Sequence, residues 1–194
     1  RMTADTLPVE AILSAQFTHV SGITLAISAS ARDAGLEAMR IAGAAGRQVS
    51  FDPNLRLALW PLEEARYEIT QALGLADIAL PGLDDARQIT GLDAPEDIVR
   101  AFHEMGPDVV ALTLGEEGAL LGHAGTITHI PGVPVPAVDA TGAGDCFDGA
   151  FSTRLSKGDA PEAACRYAVA ASALSVQGYG AVGPLPTVAD MSAG

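Results

Sequence analysis

Asp108-Val109-Val110-Ala111-Leu112-Thr113, reached through Gly106-Pro107 from the helical stretch Ala94 to Met105, is the run from which the fold can be read. It is a near-continuous apolar strand, and strands of that texture are buried on both faces of a sheet. The same alternation continues upstream. Asp84 to Thr90 reads as a helix stopped by Gly91, Asp77 to Leu80 as a buried strand, and Leu62 to Leu75 as a helix. Val49-Ser50-Phe51 is a short strand ended by Asp52-Pro53, because proline cannot donate to a ladder and biases the residue before it toward an extended conformation. Before it comes a helix with Leu36, Met39 and Gly43 on one stripe, Arg32, Asp33, Glu37 and Arg40 elsewhere, and Gly46 as its stop. The first strand is expected over Thr18-His19-Val20-Ser21-Gly22-Ile23-Thr24-Leu25, a β-branched run closed by small residues. Strands alternating with helices predict a parallel sheet with helices on both faces and ligands beyond the carboxyl ends of the strands.

Downstream the texture changes. Gly115 and Gly118 mark a turn into Ala119-Leu120-Leu121, and Thr126-Ile127-Thr128-His129-Ile130 follows as antiparallel edge structure. After Pro131, Pro134 and Pro136 a glycine-rich loop opens a helix from about Ala143 to Leu155. A second helix runs from Ala160 to about Val176, where Ala160, Ala163, Ala164, Tyr167, Ala168 and Ala171 form a small-residue stripe that permits close helix packing. No internal repeat or low-complexity tract interrupts the chain.

The 194 residues suit one domain, 1–194, with a sizeable core. A net charge of −13, from 24 acidic against 11 basic residues with Lys157 the single lysine, excludes a nucleic-acid-binding surface, which needs clustered Lys and Arg. Any bound phosphate is then met by backbone N–H groups, a few arginines or a metal ion. Cys146 and Cys165 are too far apart in sequence for a metal knuckle, and a reduced protein is the simpler reading. With no long apolar run and no signal-type opening, a soluble cytoplasmic protein without a membrane partner is expected.

Between the extended Val135-Pro136-Ala137-Val138 and the helix after it lies Thr141-Gly142-Ala143-Gly144-Asp145. Glycines there let the backbone approach a ligand, and the free N–H groups of the helix start make an anion site. A carboxylate in that first turn does not help to hold phosphate. It is what a kinase needs as base for an acceptor hydroxyl beside a γ-phosphate, which nominates Asp145. The pattern is neither Gly-x-Gly-x-x-Gly, since the next glycine is Gly149, nor a Walker loop, since no Gly-Lys-Ser/Thr occurs. The competing reading is a tight Gly-Ala-Gly turn with Asp145 complementing the helix dipole.

Val138-Asp139-Ala140-Thr141-Gly142-Ala143-Gly144-Asp145-Cys146-Phe147-Asp148-Gly149-Ala150-Phe151 resembles the C-terminal signature of the ribokinase-like, or phosphofructokinase-B type, carbohydrate kinases. The resemblance implies an α/β fold of ribokinase-like three-layer α/β/α type with a mostly parallel central sheet. It also implies Asp145 as catalytic base, the amides of Gly142, Ala143 and Gly144 as an anion hole, and Asp139 and Thr141 near the site, contributing to ion binding. Ser50-Phe51-Asp52-Pro53-Asn54-Leu55-Arg56 through Leu59-Trp60, with Val20 to Leu25, looks like the 2-keto-3-deoxygluconate kinase branch. There the arginine matching Arg56, with Asn54 beside it, lies near the sugar acid and the phosphates; a guanidinium pairs bidentately with either. A surface arginine after a Pro-Asn turn is the alternative.

Other positions follow from the same resemblance. Leu80-Pro81-Gly82-Leu83-Asp84-Asp85-Ala86 stands where the family has Asn-x-x-Glu, with Pro81 for the Asn and Asp84 for the Glu. Asp84 is therefore either a metal-side residue acting through water or a helix N-cap. Thr113, Gly115 and Gly118 fall in the nucleotide-side turn, and Ala171, Ser175 and Gly178 where the family walls its adenine pocket. ATP, Mg²⁺ and a monovalent cation such as K⁺ are the implied cofactors, a small sugar or sugar acid the implied substrate, and a homodimer the implied assembly. The match covers only the C-terminal two-thirds of a usual member, so the N-terminal strands and sugar-binding lid are expected to be missing, with Arg1 aligned to a substrate-contacting lid arginine. A fructokinase or other sugar kinase, and a catalytically incomplete nucleotide-binding module, are the rival readings. His19, His103, His123 and His129 lack ligand spacing, Cys146 reads as a buried thiol, and Trp60 as a packing residue.

Overall fold

The computed structural model describes residues 2–192; Arg1, aligned above with a lid arginine, lies outside the described residues. Two compact units are delineated. The first holds the residues up to Leu112 with Gly122–Ile127, and the second Thr113–Leu121 with the residues from Thr128 onward.

In the first unit, after a short helix α1 (Val9–Ser14), strand β1 (Phe17–Ser21) is followed by α2 (Gly22–Ala26), α3 (Ala29–Ala44), β2 (Gln48–Asp52), α4 (Leu62–Leu73), β3 (Ile78–Ala79), α5 (Leu83–Thr90), α6 (Pro95–Met105) and β4 (Val109–Thr113). β1 pairs with β2, β2 with β3 and β3 with β4, all parallel, in the registers Val20 opposite Phe51, Phe51 opposite Ala79 and Ala79 opposite Val110. The apolar run singled out from the sequence is the strand expected: Val110, Ala111 and Leu112 are fully buried. Phe51, Ile78, Ile98 and Phe102 are buried in the same unit.

The first expected strand is corrected in its second half. It ends at Ser21, whose hydroxyl accepts from the Ile23 N–H and starts α2, so Gly22 to Leu25 are helical. Gly22 needs its missing side chain, because a Cβ there would run into the Pro53 carbonyl. Gly43 is also corrected: it is exposed, and α3 turns Ala34, Gly35, Leu36, Ala38, Met39 and Ala42 inward instead. β3 is shorter than expected, but its flanks are tied to neighbouring strands. Asp77 accepts from the Val49 N–H at 2.8 Å through Oδ2, and Leu80 N–H donates to the Phe51 carbonyl at 2.9 Å. Trp60 does pack, under the Arg32 guanidinium at 5.6 Å, and Arg32 in turn binds the Leu25 carbonyl, Glu64 and Glu68.

The chain then forms β5 (Gly118–His123) and β6 (Thr126–Pro131), joined through Ala124 and Gly125 at φ 50° and 75°, the left-handed pair that a two-residue hairpin demands. The strands follow one another across the sheet in the order β1 to β6. The second unit is completed by α7 (Ala143–Ser156) and α8 (Pro161–Ser175). α7 buries Cys146, Phe147 and Phe151, with the two phenyl rings stacked 6.0 Å apart. The small-residue stripe of α8 is narrower than expected, since Ala160 and Ala163 are exposed while Ala164, Ala168, Ala171 and Ser175 are buried at helical spacing. Among the described residues no helix is long and apolar enough to cross a membrane.

Candidate functional site

The loop ahead of α7 is held by one carboxylate. Asp139 Oδ1 accepts from the Thr141 hydroxyl at 2.6 Å and from the Thr141 N–H at 2.9 Å, while Oδ2 accepts from the Gly180 N–H at 2.9 Å. The Thr141 hydroxyl, then the Gly180 and Thr141 amides, hold the Asp139 carboxyl below the usual carboxylate range. Gly142 follows at φ 79° and ψ 5°, the left-handed conformation that glycine adopts at least cost, and a Cβ there would meet Ala181 at 2.6 Å. The loop and the segment around Gly180 are thus locked together on both the polar and the steric side.

This geometry launches α7, whose first backbone bond runs from Cys146 N–H to the Gly142 carbonyl at 2.9 Å. Of the three amides expected to form the anion hole, that of Ala143 donates to the Ala140 carbonyl at 3.1 Å. Among the described residues the N–H groups of Gly142, Gly144 and Asp145 have no protein partner. They form the start of a 14-residue helix, where orphan amides and the helix dipole favour an anion. Asp145 stands exposed in the same turn. Behind it Cys146 is buried with its thiol pushed up by burial, an effect the Ser175 hydroxyl partly opposes, and burial pushes Cys165 up to about 12.

A cavity of about 530 Å³ opens beside this helix start, within the size range of small-molecule sites, and every residue lining it belongs to the second unit. Ala140, Ala143 and Gly144 line the end at the loop. Thr113, Gly115 and Gly118, expected in a nucleotide-side turn, also line it. Gly118 is needed for close approach, since a Cβ at its φ of 97° would strike the Ile130 carbonyl. Ala171, Ser175 and Gly178, expected at an adenine wall, are not among the residues lining this cavity. α8 presents Val169, Ser172, Ala173 and Val176 instead, spaced i, i+3, i+4 and i+7 on one stripe, while Ala171 and Ser175 are buried on another.

In the first unit, Asn54 sits at φ 35° with its N–H donating to Asp52 Oδ1 at 3.0 Å. Leu55 N–H donates to Asp85 Oδ2 at 2.8 Å. Arg56, half exposed, donates through Nη1 to the Leu55 carbonyl at 2.8 Å and lies 3.8 Å from the same Asp85 oxygen. Burial raises the Asp85 pKa and Asp84 adds to the rise, against the Leu55 N–H and Arg56. Asp84, by contrast, is almost fully exposed, second in α5 behind an N-cap at Gly82, and pairs loosely with Arg87 at 3.8 Å. The N-cap reading of Asp84 is therefore corrected, and the carboxylate engaged beside Arg56 is Asp85, which sequence reasoning passed over. Among the described residues no three His, Cys, Asp or Glu side chains gather as a metal cage.

A family model described as pfkB family carbohydrate kinase matches residues 2–188. The chain belongs to the pfkB family of carbohydrate kinases. Among curated pfkB-type relatives it is 36% identical over 199 residues to Fructokinase-1 of Zea mays, covering 98% of this chain and 61% of that protein. It is 38% identical over 178 residues to the 2-dehydro-3-deoxygluconokinase of Thermoproteus tenax, covering 91% of this chain and 54% of that one. The crystal structure of fructokinase from Vibrio cholerae O395 in its fructose, ADP and calcium ion bound form superposes with a TM-score of 0.88 at 31% identity, covering 96% of this chain and 63% of that one. The ribokinase-like α/β fold with a mostly parallel sheet is the pfkB fold expected from the sequence. The chain spans roughly three-fifths of the length of the curated relatives it matches.

Proposed function

We propose that the protein transfers the γ-phosphoryl group of ATP to a hydroxyl of a small sugar or sugar acid, with 2-keto-3-deoxygluconate (2-dehydro-3-deoxygluconate) as the first candidate. The observation that carries this reading is the first turn of α7, where an exposed carboxylate, Asp145, stands among N–H groups that have no protein partner, at the edge of a cavity large enough for a nucleotide.

In this reading the carboxylate of Asp145 takes the proton of the acceptor hydroxyl as the new O–P bond forms. The N–H groups of Gly142, Gly144 and Asp145 point charge-stabilising dipoles at the transferring group. Asp139 and Thr141 keep those donors in place through the bonds that fix the loop, so they act on the geometry of the site. When bound, ATP would supply the phosphoryl group and Mg²⁺ would neutralise charge on its phosphates. Arg56 is assigned to an anionic part of the ligand, with Asn54 shaping the turn that presents it. The setting proposed is a cytoplasmic enzyme.

The sugar acid is put first because Ser50 to Trp60 resembles the 2-keto-3-deoxygluconate kinase branch and because of the 2-dehydro-3-deoxygluconokinase relative from Thermoproteus tenax. Fructose is the second reading, favoured by the fructokinase relative from Zea mays. ADP release measured with 2-keto-3-deoxygluconate or with fructose distinguishes them. Asp145→Asn is expected to keep nucleotide affinity and to lower turnover by about 10² to 10⁴-fold. Turnover near the unmodified level in that variant removes Asp145 from the mechanism, and nucleotide binding without sugar-dependent ADP release in the unmodified protein makes it a binding module.

A further inference from the structure

The cavity beside α7 has an uneven chemistry. Its loop end offers backbone donors, and phosphates placed there put a nucleobase toward a wall that includes the apolar residues Val133, Pro134, Val135, Val169, Ala173 and Val176. None of these six side chains can donate or accept a hydrogen bond. The polar side chains on the wall are few. Ser172 is committed, its hydroxyl donating to the Ala143 carbonyl at 3.0 Å. Thr113 is engaged within the protein. Glu116 is an exposed residue on an exposed 3₁₀ turn. Along 133–137 the main chain has N–H groups only at Val133, Val135 and Ala137, because Pro134 and Pro136 carry none.

We infer that this site accepts purine nucleoside triphosphates without distinguishing the groups on the edge of the ring, so that GTP and ITP serve beside ATP. The inference rests on the reading of the cavity as the nucleotide site and adds to it a statement about selectivity. Adenine, hypoxanthine and guanine share one ring shape and differ in the donors and acceptors at positions 1, 2 and 6. A site that pairs such groups rejects the wrong partner by about 10⁴ to 10⁵-fold, because its own buried polar groups are left unpaired; an apolar wall discriminates among ligands of one shape by about 10²-fold at most. Nothing in the six apolar side chains would be left unpaired by an exchange of oxo for amino.

The test is calorimetric titration of the full chain with ATP, ITP and GTP, each with Mg²⁺, with inorganic triphosphate as a further probe. Dissociation constants for the three nucleotides within about a hundredfold of one another, all tighter than that of triphosphate, are the expected result. ATP binding with ITP and GTP weaker by more than that factor overturns the inference and leaves the kinase reading intact, since it shows a ring edge being read. Binding of none of the three overturns both. Nucleotides binding no better than triphosphate also overturns the inference, because the ring is then not held in the cavity.

Discussion

Asp139 carries more of the candidate site than its place beside the glycine loop suggests. Both its oxygens accept, three bonds in all, and these join the loop to the Gly180 segment that closes against Gly142. Because those donors favour the ionised form, the folded pKa lies below the unfolded one, near 3.9 in model peptides. The sign follows: the contribution of these bonds is complete above the unfolded value and is lost as pH falls through the lower, folded one. Between about pH 5 and 8 the loop should therefore be indifferent to pH on account of Asp139. Asp139→Ala should speed hydrogen exchange at the Thr141 and Gly180 amides by about tenfold, since each loses a charge-assisted acceptor, while amides in the middle of α7 stay protected. Unchanged exchange at Gly180 would show that the Gly142 to Ala181 packing alone fixes the loop.

At the scale of elements, α8 shows what the sequence could and could not reveal. Its existence and limits were legible, because small residues recur at helical spacing between the Ala160-Pro161 start and the end near Val176. Which stripe faces the cavity was not, since a run as uniformly small as Ala168 to Ala173 presents similar residues all round and the choice is made by what α8 packs on. The near-continuous apolar run likewise revealed β4, and the stop at Gly91 the end of α5, yet the turn from strand to helix at Ser21 was missed, where the hydroxyl cap and the Pro53 carbonyl against Gly22 override a β-branched run. Asp85 escaped for a related reason: its partner Leu55 is 30 residues away, and only the fold brings them together. The assignment of faces on α8 is testable by paired substitutions. Ala171→Leu overpacks a fully enclosed position and should cost about 1 to 3 kcal/mol, or roughly 2 to 4 °C in Tm per kcal/mol for a chain of this size. Ala173→Leu projects into the cavity and should leave Tm within about 2 °C while weakening nucleotide binding at least about tenfold. Thermal melts and calorimetry on the two variants check both, and the reverse pattern would return the wall to Ala171.

For the whole molecule the decisive quantity is its charge of −13. Ion pairs oppose it only locally. Arg32 with Glu64 and Glu68, and Arg154 with Asp159, are partly sheltered, but pairs such as Arg66–Glu63, Arg100–Asp97 and Arg166–Glu162 lie exposed three or four residues apart, where each contributes little. Self-repulsion among the remaining carboxylates acts over longer distances and destabilises the compact state. Salt weakens the long-range term first: the Debye length falls from about 30 Å at 0.01 M to about 8 Å at 0.15 M, still longer than a contact pair. Raising NaCl across that range should therefore raise Tm, by about 2 to 4 °C if about 1 kcal/mol of repulsion is relieved. Sodium chloride is the appropriate salt, because sulfate would stabilise by exclusion from apolar surface whatever the charge. The measurement is a melt of the protein alone, without nucleotide, at pH 7.5. A fall in Tm would mean that the sheltered pairs around Arg32 and Arg154 outweigh the net charge, and would shift attention from the acidic surface to those two clusters as the electrostatic determinants of stability.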